Sequence, residues 1–423
     1  MKVSPPRRNA GAALLVLLLA VTLALSAVLI SALAGNDPEL ERRRKTLETM
    51  ARAKQALIAW SAMQGDMWPP TKLVDAKDAN GNVIKEADGK HNVKVETPTY
   101  MRPGTLPCPD TLDPAEAKSG EAQGTCSAAS KSSIGRLPWK TLGTENLADA
   151  HGETLWYAVG NNFRNVNPNS AAINSDTKGT LLLYAADGAT LLTPPGEELA
   201  AVIFAPGPPL PGQDRAAAPK SAAAYLEAFN GKNNAAAAGP FFAGPARDAA
   251  GQLVSNDLVI GIGARELIAA IERRALQEAE NALAQFAALP NPAARNGPNC
   301  TSGISNVQSV ALCASDATVC SGRLPEDAVE PYVPRWFIQN GWGRSLIYAI
   351  RDAAAGCAAP LEVDGKPADY VLIAPGAARQ GQTRPSATLS DYLEDAENAD
   401  GWSGNVSFIS PGANGNDQLR AKP

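Results

Sequence analysis

The sequence predicts an α+β protein in which a long N-terminal membrane-spanning helix precedes two related units, each a helix with an antiparallel sheet. Three observations predict this fold class. They are an uncharged apolar run near the N-terminus, a helical pattern directly after it, and blocks of sequence that recur in the same order in both halves. With 423 residues, the chain is long enough for two or three domains with a sizeable core.

The apolar run extends from Gly11 to Ala34 and contains no charge and no proline. As a helix it would rise about 36 Å, more than the roughly 30 Å of a bilayer core. Lys2, Arg7 and Arg8 lie on its short N-terminal side, which should therefore remain cytoplasmic. The chain after residue 34 is expected to be exported as a body on a single-pass anchor.

A cleaved secretory signal peptide is the alternative interpretation of this run. Ala32-Leu33-Ala34 has the small-x-small pattern of a signal-peptidase site, and cleavage there would leave Gly35 as the first residue. The apolar run is longer than the usual apolar region of about 7–15 residues in a signal peptide, which favours the anchor.

The leader supports a third interpretation. Residues 7–11, Arg-Arg-Asn-Ala-Gly, and the apolar residues that follow resemble the leader of type IV pilin-like proteins. The resemblance implies that prepilin peptidase removes residues 1–11 by cutting after Gly11, so that Ala12 becomes the N-terminus and 12–34 remains as a transmembrane and filament-core helix. Most major pilins carry a glutamate at the fifth mature position. This chain has Val16 there, which suits a minor member of the family.

Two long helices are predicted outside the apolar run. Asp37-Pro38-Glu39 is a good helix start, and apolar residues then recur at three- and four-residue steps, so a stem helix is expected over 39–63. Ala264–Phe286 shows the same periodicity and should serve the second unit as the stem serves the first. The exported units are accordingly placed at 35–270 and 271–423.

The internal duplication is the strongest organisational signal. Five blocks pair in the same order: 53–60 with 279–286, Gly-Arg-Leu-Pro at 135–138 with 322–325, 151–159 with 342–350, 201–207 with 370–376, and Tyr-Leu-Glu at 225–227 with 392–394. Each unit should therefore contain an initial helix, a cysteine-bearing loop and a Gly-Arg-Leu-Pro turn. A strand at Leu155–Val159 or Leu346–Ile350 should follow, then a strand ending in Ala-Pro-Gly and a short helix with Tyr-Leu-Glu.

The first unit also resembles known exported proteins. Leu-Pro-Cys-Pro-Asp at 106–110, GRLPWKTLG at 135–143 and GETLWYAVGNNF at 152–163 are similar to the exported body of proteobacterial pilin-like, general-secretion-like proteins. The similarity covers roughly 53–165. The second unit lacks the Leu-Pro-Cys-Pro-Asp sequence and the tryptophan after Gly-Arg-Leu-Pro, so a surface function built on Trp139 need not be shared.

Six cysteines follow the apolar run, where an oxidising compartment would pair them. Cys108 and Cys126 are the only cysteines of the first unit and should form a disulfide. The duplication favours Cys300 with Cys320 and Cys313 with Cys357, although other pairings in the second unit remain open. No Cys-x-x-Cys sequence and only two histidines occur, so no metal site is expected.

Residues 65–100 predict a hairpin around Asn80-Gly81. Acidic and amide residues near it invite a calcium interpretation, but an EF-hand loop with Gly81 in sixth position would begin at Ala76 and end at Ala87, which cannot ligate. We therefore expect no cofactor. The net charge of −5 also gives no reason to expect a nucleic-acid partner.

No catalytic constellation is recognisable, and we expect a protein that is not an enzyme. The most site-like residues are Arg136 and Arg323 in the repeated Gly-Arg-Leu-Pro, together with Trp139. The arginines could contact a carboxylate or a neighbouring subunit. Alternatively, they are structural residues that fix loop carbonyls or pair with a local acid.

The expected function is that of a minor pilin or pseudopilin. The subunit would be anchored in the bacterial inner membrane, with its body in the periplasm, and then incorporated near the tip of a type IV pilus or type II secretion pseudopilus. Its expected partners are other pilin or pseudopilin subunits and prepilin peptidase. The alternative is a secreted or periplasmic binding protein with a cleaved signal peptide.

Overall fold

The structure is a computed structural model that describes residues 38–64, 71–76, 78, 82–98, 102–124, 126, 133–164, 172–286, 321–324, 332–350, 360–384, 386, 389–399, 406–412 and 415–422. Its α-helices are α1 (Pro38–Ala62), α2 (Ala264–Phe286), α3 (Arg335–Gln339) and α4 (Trp342–Ser345). Its strands are β1 (Thr71–Asp75), β2 (Lys94–Pro98), β3 (Ile134–Arg136), β4 (Trp156–Val159), β5 (Leu183–Tyr184), β6 (Leu199–Ala205), β7 (Ala228–Phe229), β8 (Lys232–Asn233), β9 (Phe241–Phe242), β10 (Ala246–Arg247), β11 (Leu253–Ser255), β12 (Leu258–Gly263), β13 (Ser321–Arg323), β14 (Ile347–Ile350), β15 (Leu361–Val363), β16 (Lys366–Ala368), β17 (Tyr370–Ala374), β18 (Ser407–Phe408) and β19 (Gln418–Lys422).

The first sheet has the strand order β12-β6-β4-β3, and all neighbouring strands are antiparallel. Trp156 of β4 lies opposite Phe204 of β6 and Arg136 of β3. Side chains of β4 alternate between two cores, because Tyr157 packs with the helices and Trp156 packs on the other face. Both faces of the sheet are therefore buried, which explains why its strands are short apolar runs.

The second sheet has the order β13-β14-β17-β19 and is also antiparallel. The repeated sequence blocks occupy equivalent strands in the two sheets, with the Gly-Arg strand at one edge and the Ala-Pro-Gly strand in third place. Ile347 of β14 lies opposite Arg323 and Ile373, as Trp156 lies opposite Arg136 and Phe204 in the first sheet. The α+β class is confirmed, with α1 on an antiparallel sheet and a second long helix.

The predicted Gly-Arg-Leu-Pro turn is wrong, because Gly135 and Arg136 lie within β3 and their counterparts lie within β13. The reason is a backbone neighbour on the outer side of β3. Asp110 forms an antiparallel bridge with Arg136, and the two residues exchange backbone hydrogen bonds of 2.8 and 2.9 Å. A Cβ atom on Gly135 would lie 2.5 Å from the Asp110 carbonyl oxygen, so glycine permits this close approach.

Helix α1 begins and ends one residue before the predicted range of 39–63, which confirms the stem helix. Its buried residues recur at three- and four-residue steps: Thr46, Met50, Ala53, Leu57 and Ser61. Residues 38–45 are all exposed, and Leu40 keeps 64% of its surface exposed. Only the part of α1 from Thr46 onwards therefore packs on the body, against β6, β12 and α2.

Helix α2 follows β12 without a loop and has the predicted bounds. It is continuous across residue 270, where the sequence analysis placed the end of the first unit. It packs against α1, against β6 and β12 of the first sheet, and against β17 and β19 of the second. Its fully buried residues are Leu267, Ile268, Ile271, Glu272, Ala275, Leu276, Ala279 and Ala282. One hydrophobic core thus extends across α2 into both sheets.

Strands β1 and β2 pair in antiparallel register, with Val74 opposite Val95, but residues 76–93 lie between them. Asn80 and Gly81 lie outside the described residues, so the predicted hairpin turn stays a prediction. The backbone N–H of Asp78 donates to the carbonyl oxygen of Asn82 at 2.9 Å, next to the predicted Asn-Gly turn. The apolar run at 11–34 lies outside the described residues. Among the residues that are described, no helix has both the length and the apolar composition that crossing a membrane requires.

Candidate functional site

A cavity of about 430 Å³ lies beside Arg136 and Trp139, two of the residues that the sequence singles out. Its volume is in the range typical of small-molecule sites, roughly 300–1,000 Å³. It lies on the face of the first sheet opposite α1 and α2, because Trp156 forms part of it. The lining residues are Asp110, Pro114, Glu116, Ser119, Arg136, Trp139, Lys140, Asn146, Gly152, Glu153, Thr154, Trp156 and Tyr225.

One wall of the cavity is the loop closed by the disulfide between Cys108 and Cys126. This disulfide confirms the sequence prediction, with Cα atoms 5.6 Å apart and a sequence separation of 18. Inside the loop, the buried carboxylate of Asp110 accepts backbone N–H bonds from Leu112 at 2.9 Å and from Gly120 at 2.8 Å. The disulfide and this carboxylate together hold the wall in place.

Arg136 joins that wall to the rest of the first unit. Its side chain is 8% exposed, and its Nη2 atom lies 3.4 Å from Oδ2 of Asp110 and also donates to the carbonyl oxygen of Leu112. Its Nη1 atom donates to the carbonyl oxygen of Pro219 at 3.3 Å. These are the contacts expected of an arginine that fixes loop carbonyls and pairs with a local acid.

Trp139 is held against the disulfide loop by Gly120. A Cβ atom on Gly120 would lie 2.5 Å from Nε1 of Trp139, and Gly120 has a φ of +90°, so the position suits glycine alone. The backbone N–H of Lys140 donates to the Gly120 carbonyl oxygen at 2.9 Å. The Nζ atom of Lys140 lies 5.3 Å from the Trp139 ring centre and donates to the carbonyl oxygen of Ala117 at 3.0 Å. The indole is half-buried and has a defined orientation at the cavity.

The floor of the cavity is aromatic. Trp156 is 2% exposed, and its ring centre lies 5.1 Å from that of Tyr225 at a tilt of 40°. The guanidinium of Arg215 lies 4.9 Å from the Tyr225 ring centre and pairs with Glu153 at 2.8 Å. Burial raises the pKa of the Tyr225 hydroxyl, and the nearby Glu153 carboxylate raises it further.

Arg215 belongs to a repeat that extends beyond the Ala-Pro-Gly block. Residues 205–215 and 374–384 share the pattern Ala-Pro-Gly-x-x-x-x-Gly-Gln-x-Arg. Arg384 donates from Nη1 to the Gly376 carbonyl oxygen at 2.7 Å and lies 4.7 Å from the Tyr392 ring centre, as Arg215 does with Gly207 and Tyr225. The identical spacing of Gly-Gln-x-Arg was the signal that could have found both arginines.

A second missed repeat is Asn-Asp, at 256–257 and 416–417, immediately before the last strand of each sheet. The backbone N–H of Glu227 donates to Oδ2 of Asp257 at 3.1 Å, and that of Glu394 donates to Oδ2 of Asp417 at 3.1 Å. Burial, and then the neighbouring glutamate, raise the pKa of Asp257 well above its usual value and that of Asp417 to about 8. In each unit, this hydrogen bond from the glutamate backbone to the aspartate carboxylate joins the Tyr-Leu-Glu segment to the residue just before the last strand.

The other residues singled out in the sequence are not all described. Arg323 occupies the strand position in β13 that Arg136 occupies in β3. The processing residues Gly11 and Ala12 lie outside the described residues. The same is true of Cys300, Cys313, Cys320 and Cys357, so their pairing stays a prediction.

Within the part of the chain that the structure describes, one group has the residue types of a metal site: Glu86, Asp88 and His91. Their potential ligand atoms lie within 4.8 Å of one another. All three side chains are exposed, and the His91 ring is hydrogen-bonded to Asp88. Asp88 has its pKa lowered by the backbone N–H groups of His91 and Lys90, so local hydrogen bonds already account for this arrangement.

The chemistry available at the cavity is that of recognition by aromatic rings and hydrogen-bonding groups. Of its described lining residues, none is a histidine or a cysteine, and Asp110 is held by Arg136 and by backbone N–H groups. Indole rings, carboxylates and cationic side chains suit a small polar ligand with an apolar surface. Comparison of the chain with protein-family models, with curated proteins and with solved structures found no match.

Proposed function

We propose that this protein is a minor pilin-like or pseudopilin-like subunit, anchored in the bacterial inner membrane and then incorporated near the tip of a type IV pilus or type II secretion pseudopilus. The observation that carries the proposal is the placement of α1. Its residues 38–45 are exposed and stand clear of the body, whereas its buried stripe from Thr46 onwards packs on an antiparallel sheet. The apolar run of 11–34 comes just before this exposed end.

A stem of this kind suits assembly by helix burial. Residues 12–34 would hold the subunit in the lipid phase before assembly, because an apolar segment of this length satisfies its backbone hydrogen bonds as a helix there. In a filament, the same residues would pack against the corresponding helices of neighbouring subunits. The exposed first turns of α1 would leave space between the body and that helical core.

The size of the body favours a tip position. Two sheets and α2 share one core, so the second unit cannot move away from the first when subunits pack side by side. A body of two units is much bulkier than the stem that carries it. We therefore place the subunit at the end of the filament, where only one side of the body has to accommodate neighbours.

The proposal is tested by the N-terminus of the mature protein. The full chain is expressed in a bacterium with and without prepilin peptidase, and its N-terminus is determined by sequencing. We expect a mature chain that begins at Ala12 only when the peptidase is present, together with recovery of the protein in the sheared filament fraction. The Gly11→Val variant should remain uncut and absent from that fraction.

The matched control is Ala34→Leu, which removes the small-x-small pattern but leaves the leader intact. This variant should be processed like the wild type if the filament proposal holds. A mature chain that begins at Gly35, lost in Ala34→Leu and retained in Gly11→Val, would instead establish the secreted or periplasmic binding protein with a cleaved signal peptide.

A further inference from the structure

The aromatic floor of the cavity in the first unit is not a requirement of the fold. The second unit builds the same four-stranded order with Ile347 in the strand position of Trp156. In the repeated block, Arg344 also stands where the first unit has Glu153. The frame that supports the floor is retained in both units, since Arg384 stacks on Tyr392 as Arg215 stacks on Tyr225. The cavity residues Trp139, Glu153 and Trp156 are not repeated in the second unit, whereas Arg136 and Tyr225 have the counterparts Arg323 and Tyr392.

The cavity combines aromatic surface with hydrogen-bonding groups of both kinds. Half-buried Trp139 supplies ring surface at the wall of the cavity, and half-buried Tyr225 supplies it at the floor, next to the buried Trp156. Lys140 supplies donors at the rim, Glu116 and Glu153 supply acceptors, and Asn146 and Thr154 supply both. A ligand that fits must therefore present an apolar face to the rings and hydroxyl-like groups around its edge.

The charges favour a neutral ligand. Each carboxylate of the cavity already has a cationic partner: Asp110 has Arg136 at 3.4 Å, Glu116 has Lys220 at 3.1 Å and Glu153 has Arg215 at 2.8 Å. A cationic ligand would have to compete with one of these ion pairs and would leave its partner without a counter-charge. An anionic ligand would have to draw Lys140 away from the Ala117 carbonyl oxygen, to which its Nζ atom donates at 3.0 Å. Hydroxyl groups can accept from the cations and donate to the carboxylates while the ion pairs remain intact.

We propose that this cavity binds a neutral pyranose saccharide, with a C–H face of the sugar ring against Trp139 and Tyr225 and its hydroxyl groups bonded to the rim. Gluco-configured sugars fit best, because their equatorial hydroxyl groups leave C–H groups on both faces of the ring. The cavity volume of about 430 Å³ admits a saccharide of one or two rings. The proposal does not depend on assembly into a filament.

The test is a titration of the purified full chain in detergent with cellobiose, followed by tryptophan fluorescence and by saturation transfer from protein to sugar in NMR spectra. We expect saturable binding and magnetisation transfer to the ring C–H protons. Trp139→Ala should weaken binding about tenfold, as expected when one aromatic contact is lost, and Trp139→Phe should restore affinity to within about threefold of the wild type.

Two controls make the outcome decisive. Trp60→Ala removes a tryptophan of α1 outside the cavity and should leave cellobiose affinity unchanged. N-acetylglycine, a small carboxylate that mimics a peptide C-terminus, should bind no better than cellobiose. Absence of saturable cellobiose binding to the folded wild type would overturn the proposal. So would equal losses in Trp60→Ala and Trp139→Ala, or a clear preference for N-acetylglycine.

Discussion

The hydroxyl group of Ser175 donates a hydrogen bond of 2.5 Å to the carboxyl group of Glu272, a side chain with no exposed surface. The amide of Gln418 donates to the same carboxyl group at 3.1 Å. Ser175 belongs to the first unit and Gln418 begins the last strand of the second sheet. Glu272 in α2 is therefore a polar junction between the two units within an otherwise apolar core.

This junction predicts a pH dependence of stability. Burial raises the pKa of Glu272 from 4.5 to about 7, and the bonds from Ser175 and Gln418 and the charge of Arg384 only partly oppose that effect. Because the folded protein then binds a proton that the unfolded chain has released, the free energy of unfolding should fall as the pH rises from 4.5 through 7. The titration of Glu272 alone would lower the free energy of unfolding by up to about 3 kcal/mol over this pH range.

Glu272→Gln tests this dependence, because a neutral amide keeps the shape and an oxygen acceptor. Urea unfolding is measured at several pH values. The free energy of unfolding of the variant should rise relative to that of the wild type as the pH rises through 7. Gln277→Glu, an exposed change on the same helix, serves as the control. If the wild type and Glu272→Gln keep parallel pH profiles, the carboxyl group is not protonated in the folded protein.

The disulfide predicts a local and a global effect. Replacing both Cys108 and Cys126 with serine should lower the free energy of unfolding by about 3 kcal/mol, because the loop of 18 residues is no longer closed in the unfolded chain. The double variant is preferable to a reductant because it leaves the other cysteines untouched. Urea unfolding measures the global effect.

The same variant should loosen the cavity wall, because Asp110 and Gly120 lie inside the released loop. Hydrogen exchange is the appropriate measurement. Relative to the wild type, the variant should exchange the backbone N–H of Gly120 faster, because this group donates to Asp110 at 2.8 Å inside the loop. The increase should be smaller at Tyr157 in the centre of β4. Unchanged exchange at Gly120 would show that Asp110 holds the loop without help from the disulfide.

The repeated Ala-Pro-Gly turns predict unequal costs for the same substitution. Gly376 and Gly207 have similar φ angles of +65° and +64°, but a Cβ atom would lie 2.4 Å from Cγ of Asn416 and 3.1 Å from Nδ2 of Asn256. Alanine should cost about 1–2 kcal/mol at either position because of the left-handed backbone. The closer contact should make Gly376→Ala the more destabilising variant.

Gly365→Ala isolates the backbone contribution, because this glycine has a φ of +70° and nothing lies within 4 Å of its missing Cβ atom. The three variants are compared by urea unfolding. We expect the order Gly376→Ala, Gly207→Ala, Gly365→Ala, with the largest loss first. Equal losses in all three would mean that Asn416 moves away at negligible cost.

Local periodicity was enough to predict the two long helices. α1 lies within one residue of its predicted bounds and α2 matches them, because each has a continuous apolar stripe that no glycine or proline interrupts. A strand ending in Ala-Pro-Gly was also predicted in each unit. The observed strands end at Ala205 and Ala374, because the proline that follows each cannot donate a backbone hydrogen bond to the sheet.

The Gly-Arg-Leu-Pro segment shows where local reasoning failed. Glycine and proline suggested a turn, yet Gly135 lies in a strand. Glycine is needed there because the Asp110 backbone lies too close to leave room for a side chain. Asp110 is 25 residues away along the chain, so no local pattern carries this information. The stacking of Trp139 on Gly120 was equally hidden, although the cysteines had indicated that this loop is closed.

The order of the sequence blocks alone determined that two related sheets with long helices occur, because repeat spacing and helical periodicity are properties of the chain itself. Only the tertiary structure decided that α2 packs on both sheets and that Asp110, Trp139 and Tyr225 line one cavity. Those contacts join segments far apart in the sequence. Their existence depends on which faces the packed sheets and helices leave uncovered.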